Sequence, residues 1–171
     1  MPGSGQGKSR ASGYTLLELV VSIIVGTVLL GVFLDRTLYY RELAEKSAME
    51  QVAYDLRSSV NLRAAELVLL NKFEDLAGLA AENPIDLLAR KPVNYLGVLT
   101  NPDREALAEG AWYFDSSTKE VVYCLVSKRF FVPGASGSMC VSWRVSVARI
   151  DGQTGKPAWA RFEVVGGYRW F

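Results

Sequence analysis

Hydrophobic and polar positions are spread very unevenly along the 171 residues. Residues 1–13 contain no Leu, Ile, Val or Phe, and Gly3, Gly5, Gly7 and Gly13 lie among them. Such a stretch has nothing to bury, so no ordered structure is expected for it. Residues 14–34 follow with a single charged side chain, Glu18. As a helix rising about 1.5 Å per residue they span roughly 31 Å, the thickness of a bilayer hydrocarbon core. A core helix of a soluble domain would carry a polar stripe. A secretory signal peptide would have a shorter apolar region followed by a small-residue cleavage site. Here the apolar stretch runs straight into Asp35-Arg36, so the pattern predicts a membrane-spanning helix.

Beyond it, residues 35–82 contain no proline before Pro84 and a single glycine, Gly78. Apolar side chains recur at intervals of three and four: Ala44, Ala48, Val52, Leu56 and Val60, then Leu67, Leu70 and Phe73. The spacing predicts an amphipathic helical stem, with Glu42 and Lys46 in the favourable i,i+4 order. Asn83-Pro84 stops it. One helix from residue 14 to about 80 would be roughly 100 Å long; whether it breaks near Asn71 to Gly78 is left open by the sequence. Asn83-Pro84-Ile85-Asp86 reads as the start of a short helix and residues 91–97 as a loop. After Gly110 the period changes to two. Trp112-Tyr113-Phe114 and residues 120–126 flank a turn over residues 115–119. Val141, Trp143, Val145 and Val147 alternate with polar residues, and residues 159–165 form a last strand. The expected fold class is α+β: a long helix packed on a small antiparallel sheet of about four strands, with a head over residues 83–171.

Composition narrows the chemistry. There is no histidine, which removes the Ser-His-Asp triad, the Cys-His dyad and His-ligated zinc or haem. Two cysteines cannot build a four-cysteine metal site. No catalytic carboxylate pair stands out. Asp115 and Glu120 flank the turn, where a turn-stabilising role outweighs a calcium site. Gly5-Gln6-Gly7-Lys8-Ser9 imitates the end of a phosphate-binding loop, but Pro2 stands where that pattern needs glycine and no strand precedes it. The expectation is a protein that is not an enzyme, with no metal and no cofactor.

Charge adds orientation. Lys8 and Arg10 precede the apolar run, placing the N-terminus in the cytoplasm and the rest outside. Arg36 and Arg41 run against that bias, with Asp35 and Glu42 beside them. Outside the cytoplasm, Cys124 and Cys140 would meet an oxidising compartment and pair. The formal net charge is +1, yet residues 35–120 hold ten basic and fifteen acidic side chains, while residues 121–171 hold seven basic and two acidic.

Glu18 needs a reason, because a carboxylate inside a spanning helix is costly. Gly13-Tyr14-Thr15-Leu16-Leu17-Glu18-Leu19-Val20-Val21 resembles the class III signal of type IV prepilins and of the pseudopilins of type II secretion. The resemblance implies a leader over residues 1–13, removed by prepilin peptidase between Gly13 and Tyr14. It also implies N-methylation of Tyr14, and a helix over residues 14–34 that anchors the subunit in the bacterial inner membrane before assembly. Glu18 would then pair with the N-terminal amine of a neighbouring subunit, setting the register of a periplasmic or extracellular filament. Tyr14 replaces the usual Phe, and the helix-breaking proline common in major pilins would fall at Asp35. The resemblance implies a structural subunit, a minor pilin, whose partners are prepilin peptidase and other pilins. A type II secretion pseudopilin is the alternative. A third reading is a DNA-binding competence pilin, whose basic C-terminal segment and aromatics such as Trp170 and Phe171 would grip nucleic acid.

Overall fold

The computed structural model describes residues 15–104, 106–134, 137–149 and 157–171. The chain forms two compact units, Met1–Tyr40 and Arg41–Phe171. One helix, α1 (Leu16–Leu69), runs through both. Its N-terminal stretch is long and apolar enough to cross a membrane and is wholly exposed.

α1 ends where Asn71 takes a left-handed φ of 56°. Lys72 N–H donates to the Leu67 carbonyl at 2.9 Å and Asn71 N–H to Val68 at 3.1 Å. This paired pattern satisfies carbonyls that a helix end leaves orphaned, and Asn tolerates the left-handed backbone it requires. The helix therefore breaks at the Asn end of the range left open. A short helix, α2 (Phe73–Gly78), resumes after it. A 3-10 turn over Pro84–Leu87 follows, capped by Asn83 Oδ1, which accepts from Ile85 N–H at 3.1 Å.

The strands are β1 (Tyr95–Leu99), β2 (Trp112–Asp115), β3 (Glu120–Cys124), β4 (Phe131–Pro133), β5 (Cys140–Arg149), β6 (Pro157–Val165) and β7 (Tyr168–Trp170). Five form one sheet in the order β1-β2-β3-β5-β6, and β4 pairs with β7. The sheet is antiparallel except at β1, which runs parallel to β2. The architecture is α+β, as expected, but three strands, β1, β4 and β7, stand beyond the four anticipated. β1 lies in the stretch read as a loop. Gly97 sits there at φ 100° with a register shift beside it, and that irregularity hides the period of two. The three-residue strands β4 and β7 are too short to show any period.

Met49, Ala53, Leu56, Val60, Ala64 and Leu67 of α1 pack against Trp112, Phe114, Val121, Tyr123, Trp143, Val145 and Phe162 of the sheet. A smaller cluster of Tyr113, Val122 and Cys124, with Leu99, Leu107 and Cys140, covers the other face. β2 and β3 are thus buried on both faces, which explains their unbroken apolar runs. The buried helical face differs from the predicted stripe. Leu56, Val60 and Leu67 lie on it, whereas Ala44, Ala48 and Leu70 are exposed. Met49 and Ala53 take the inward positions, and Glu42 shares that face.

At Gly134 a Cβ would overlap the carbonyl oxygens of Gly166 and Gly167. That close backbone approach lets the chain leave β6, turn through Gly166 and Gly167 (φ 77° and 63°) and lay β7 on β4.

Two outcomes test this packing. Leu56→Ala should cost about 2–5 kcal/mol of unfolding free energy, because Leu56 is fully enclosed. Asn71→Ala should cost about 1 kcal/mol and Asn71→Gly nothing, since only alanine resists the left-handed backbone. Denaturant unfolding followed by tryptophan fluorescence reads both.

Candidate functional site

Gly13 and Tyr14, the expected cleavage and methylation positions, lie outside the described residues. Thr15 caps α1. Glu18 N–H donates to Thr15 Oγ1 at 3.3 Å and Leu19 N–H to the Thr15 carbonyl at 3.1 Å. Thr15 and Glu18 are therefore N-cap and N3, the positions of a capping box, and an acid there complements the positive helix end. Glu18 is exposed, so its carboxylate is accessible to a partner from outside the chain. Further along, Ser22 Oγ donates to the Glu18 carbonyl and Thr27 Oγ1 to the Ile23 carbonyl, both at 2.8 Å. These bonds satisfy the hydroxyls within the helix itself, as an apolar solvent demands.

Cys124 and Cys140 are bonded to each other. They face one another directly in the antiparallel register of β3 and β5. The bond closes the base of the segment that carries residues 125–139.

The same segment is tied to α1 by two carboxylates one helical turn apart, which periodicity did not single out. Glu42 Oε1 accepts from Phe130 N–H and from the indole Nε1–H of Trp170, each at 2.9 Å. Glu45 Oε1 accepts from Val126 N–H at 2.7 Å and from the Tyr123 hydroxyl at 3.1 Å, and Oε2 from Ser127 N–H at 2.9 Å. Glu42 is only 2% exposed. Burial, then the charge of Glu45 and the hydrogen bond to it, hold the Tyr123 hydroxyl well above its ordinary range. The expected Glu42–Lys46 pairing gives way to other partners. Lys46 Nζ donates to the Trp170 carbonyl at 3.0 Å and stands 3.9 Å from Glu50 Oε1. Only the charges themselves were a sequence signal here, and an acid on a helix is ordinarily read as solvated.

Asp115 and Glu120 both serve the fold. Asp115 Oδ1 accepts from Ser117 N–H at 2.9 Å, from the Ser117 hydroxyl and from Asn101 N–H at 3.3 Å. Burial pushes the Asp115 carboxyl up, but the hydrogen bonds from Ser117, Asn101 and Thr118 outweigh it and hold the group below the usual carboxylate range. Glu120 Oε1 accepts from Arg144 at 2.6 Å and Oε2 from Arg104 at 3.3 Å. Among the described residues no group of three or more Cys, Asp or Glu is placed to hold a metal ion.

Of the aromatic residues expected to grip nucleic acid, Phe171 is 42% exposed and Trp170 is buried. Trp170 is 3% exposed and its indole N–H is taken by Glu42. Several basic groups of the C-terminal segment are paired as well: Arg144 with Glu120, Lys128 with Glu109 and Arg161 with Glu163.

The profile of a protein family described as the prokaryotic N-terminal methylation motif matches residues 8–34. The chain therefore carries a type IV prepilin-like class III signal. No curated protein and no solved structure matches the chain significantly.

Glu42→Ala should destabilise the head by about 3 kcal/mol or more, since it strands two donors. Glu42→Gln, which keeps an acceptor oxygen, should cost less; chemical unfolding ranks the two. The depressed Asp115 carboxyl stabilises the fold above its ordinary value of about 3.9, and that stability is lost as pH falls through the lower folded value. Asp115→Asn should remove this part of the acid limb in a stability-against-pH titration.

Proposed function

We propose that this chain is a structural subunit, a minor pilin, of a type IV pilus or a pilus-like filament. The methylation motif over residues 8–34 carries the reading. Two further observations support it: α1 continues without interruption from the apolar segment into a helix packed on the α+β head, and Glu18 is exposed.

On this reading the chain enters the inner membrane with its N-terminus inside and the head outside. Prepilin peptidase cuts between Gly13 and Tyr14, and Tyr14 is N-methylated. The new terminus then lies close to Thr15, at the capped start of α1. The Glu18 carboxylate meets the terminal amine of a neighbouring subunit. Each charge alone is costly in an apolar surrounding, and together they attract strongly. The pair therefore defines which axial step between helices is favoured. The apolar side chains around it add contact area without direction, so register rests on the charges.

Mass spectrometry of the N-terminus tests the processing. N-methyl-Tyr14 is expected, and an intact Met1 or a terminus beyond Leu34 would sink the reading. For Glu18, the Glu18→Ala chain should still insert in the membrane but fail to enter filaments. Its normal incorporation would refute the assembly role.

A further inference from the structure

The five-stranded sheet ends on β1 at one side and on β6 at the other, and each of these has a strand neighbour on one side only. Sheet edges carry unpaired backbone groups and are ordinarily guarded by charged side chains. β6 is guarded. Arg161 and Glu163 lie on it, and Arg57 Nε of α1 donates to the Phe162 carbonyl at 3.3 Å. β1 is not. Residues 93–99 hold no charged side chain, and Val93, Leu96 and Val98 are 104%, 46% and 55% exposed. Gly97 twists the strand at φ 100°, so its backbone offers a short ladder and its side chains carry the rest of any contact.

A groove lies beside β6. A cavity of about 480 Å³ opens between Glu50, Tyr54 and Arg57 of α1 and Trp143, Val164 and Tyr168 of the strands. A second, of about 300 Å³, continues from Arg57 along Asn61, Arg161 and Glu163. From Glu50 to Asn61 the helix rises about 16 Å, the length of a five-residue strand such as β1. Among the described residues the lining holds two acids and two bases, so its charge selects an ion of neither sign. Aromatic surface beside a strand edge suits a neutral, apolar strand. Two such grooves cannot fill each other, since both are concave, whereas Val93 stands clear of the surface at the opposite edge of the same sheet. We propose that β1 of one copy of this chain seats in the β6-side groove of another. An amide of the incoming strand takes the Phe162 carbonyl from Arg57, whose bond is long for its type. The two copies use different surfaces, so the contact repeats head to tail and stays open-ended. Every residue in it belongs to the second unit, so it goes beyond the methylation signal and gives a filament a contact between heads.

The test uses the full chain in detergent micelles. One copy carries Val98→Cys and a second, differently tagged, carries Val164→Cys. Cys124 and Cys140 are bonded to each other and do not compete for the reagent. A short bis-maleimide should join the two variants when they are mixed and leave each one monomeric by itself. A chain carrying both substitutions should give a ladder of multimers. A control copy with Leu62→Cys, exposed on α1, should join neither. Adding Leu96→Lys to the Val98→Cys copy should lower the joined fraction about tenfold, the worth of one apolar side chain withdrawn from water. Circular dichroism verifies that each variant folds. Joining at position 62 equal to that of the mixture would mark chance encounters within a micelle and overturn the proposal. So would monomers throughout, and so would Val164→Cys joining itself as well as it joins Val98→Cys, because the contact would then be two-fold. Absence of N-methyl-Tyr14 would sink the filament reading and leave this result standing.

Discussion

A carboxylate withdrawn from water must find donors, and Glu42 finds two of them far along the chain. Its oxygen takes the Phe130 amide and the Trp170 indole. Glu45, one turn on, takes the Val126 and Ser127 amides and the Tyr123 hydroxyl. Between them these acids satisfy backbone N–H groups that no sheet partner serves, in a segment that leaves β3 at the disulfide. Without them the segment could not lie on α1 without burying unpaired donors, each costing about 1–3 kcal/mol. The position of β4 and β7 follows, since β4 continues from Phe130 and β7 contains Trp170. So does the outward presentation of Val126, Lys128 and Phe171. The covalent bond of Cys124 and Cys140 fixes where the segment begins and returns, while the carboxylates fix what it lies against.

α1 shows how one helix is written for two surroundings. In its apolar stretch Ser22 and Thr27 satisfy their hydroxyls by bonding four residues back. Its second half spreads polar groups outward and lets Met49, Leu56, Val60 and Leu67 meet the sheet. Neither half needs a break, so the same secondary structure carries an apolar stretch and a packing face. The end comes only where Asn71 can adopt a backbone that other residues resist.

Charge along the chain looked separable into an acidic stem and a basic C-terminal half. In the fold much of that separation disappears into pairs. Glu120 of β3 holds Arg144 from the C-terminal segment as well as Arg104 from its own, and Lys128 meets Glu109. A linear count of charge does not describe a surface, because the groups that neutralise each other come from distant positions.

The sequence by itself determined the processing signal, the apolar segment and the strand-rich head, because each rests on local periodicity or on a contiguous motif. The alternation in β5 was plain. The hairpin around Asp115 was legible for the same reason. Tertiary structure decided what depends on partners distant along the chain. It rotated the buried face of α1 to include Met49, Ala53 and Glu42, made β1 a parallel edge strand despite Gly97, and withdrew Trp170 from the surface. An acid on a helix and an aromatic near the chain end are read as exposed when only neighbours are considered. Their burial became favourable once each supplied the hydrogen bond the other lacked, and that pairing spans residues 42 to 170.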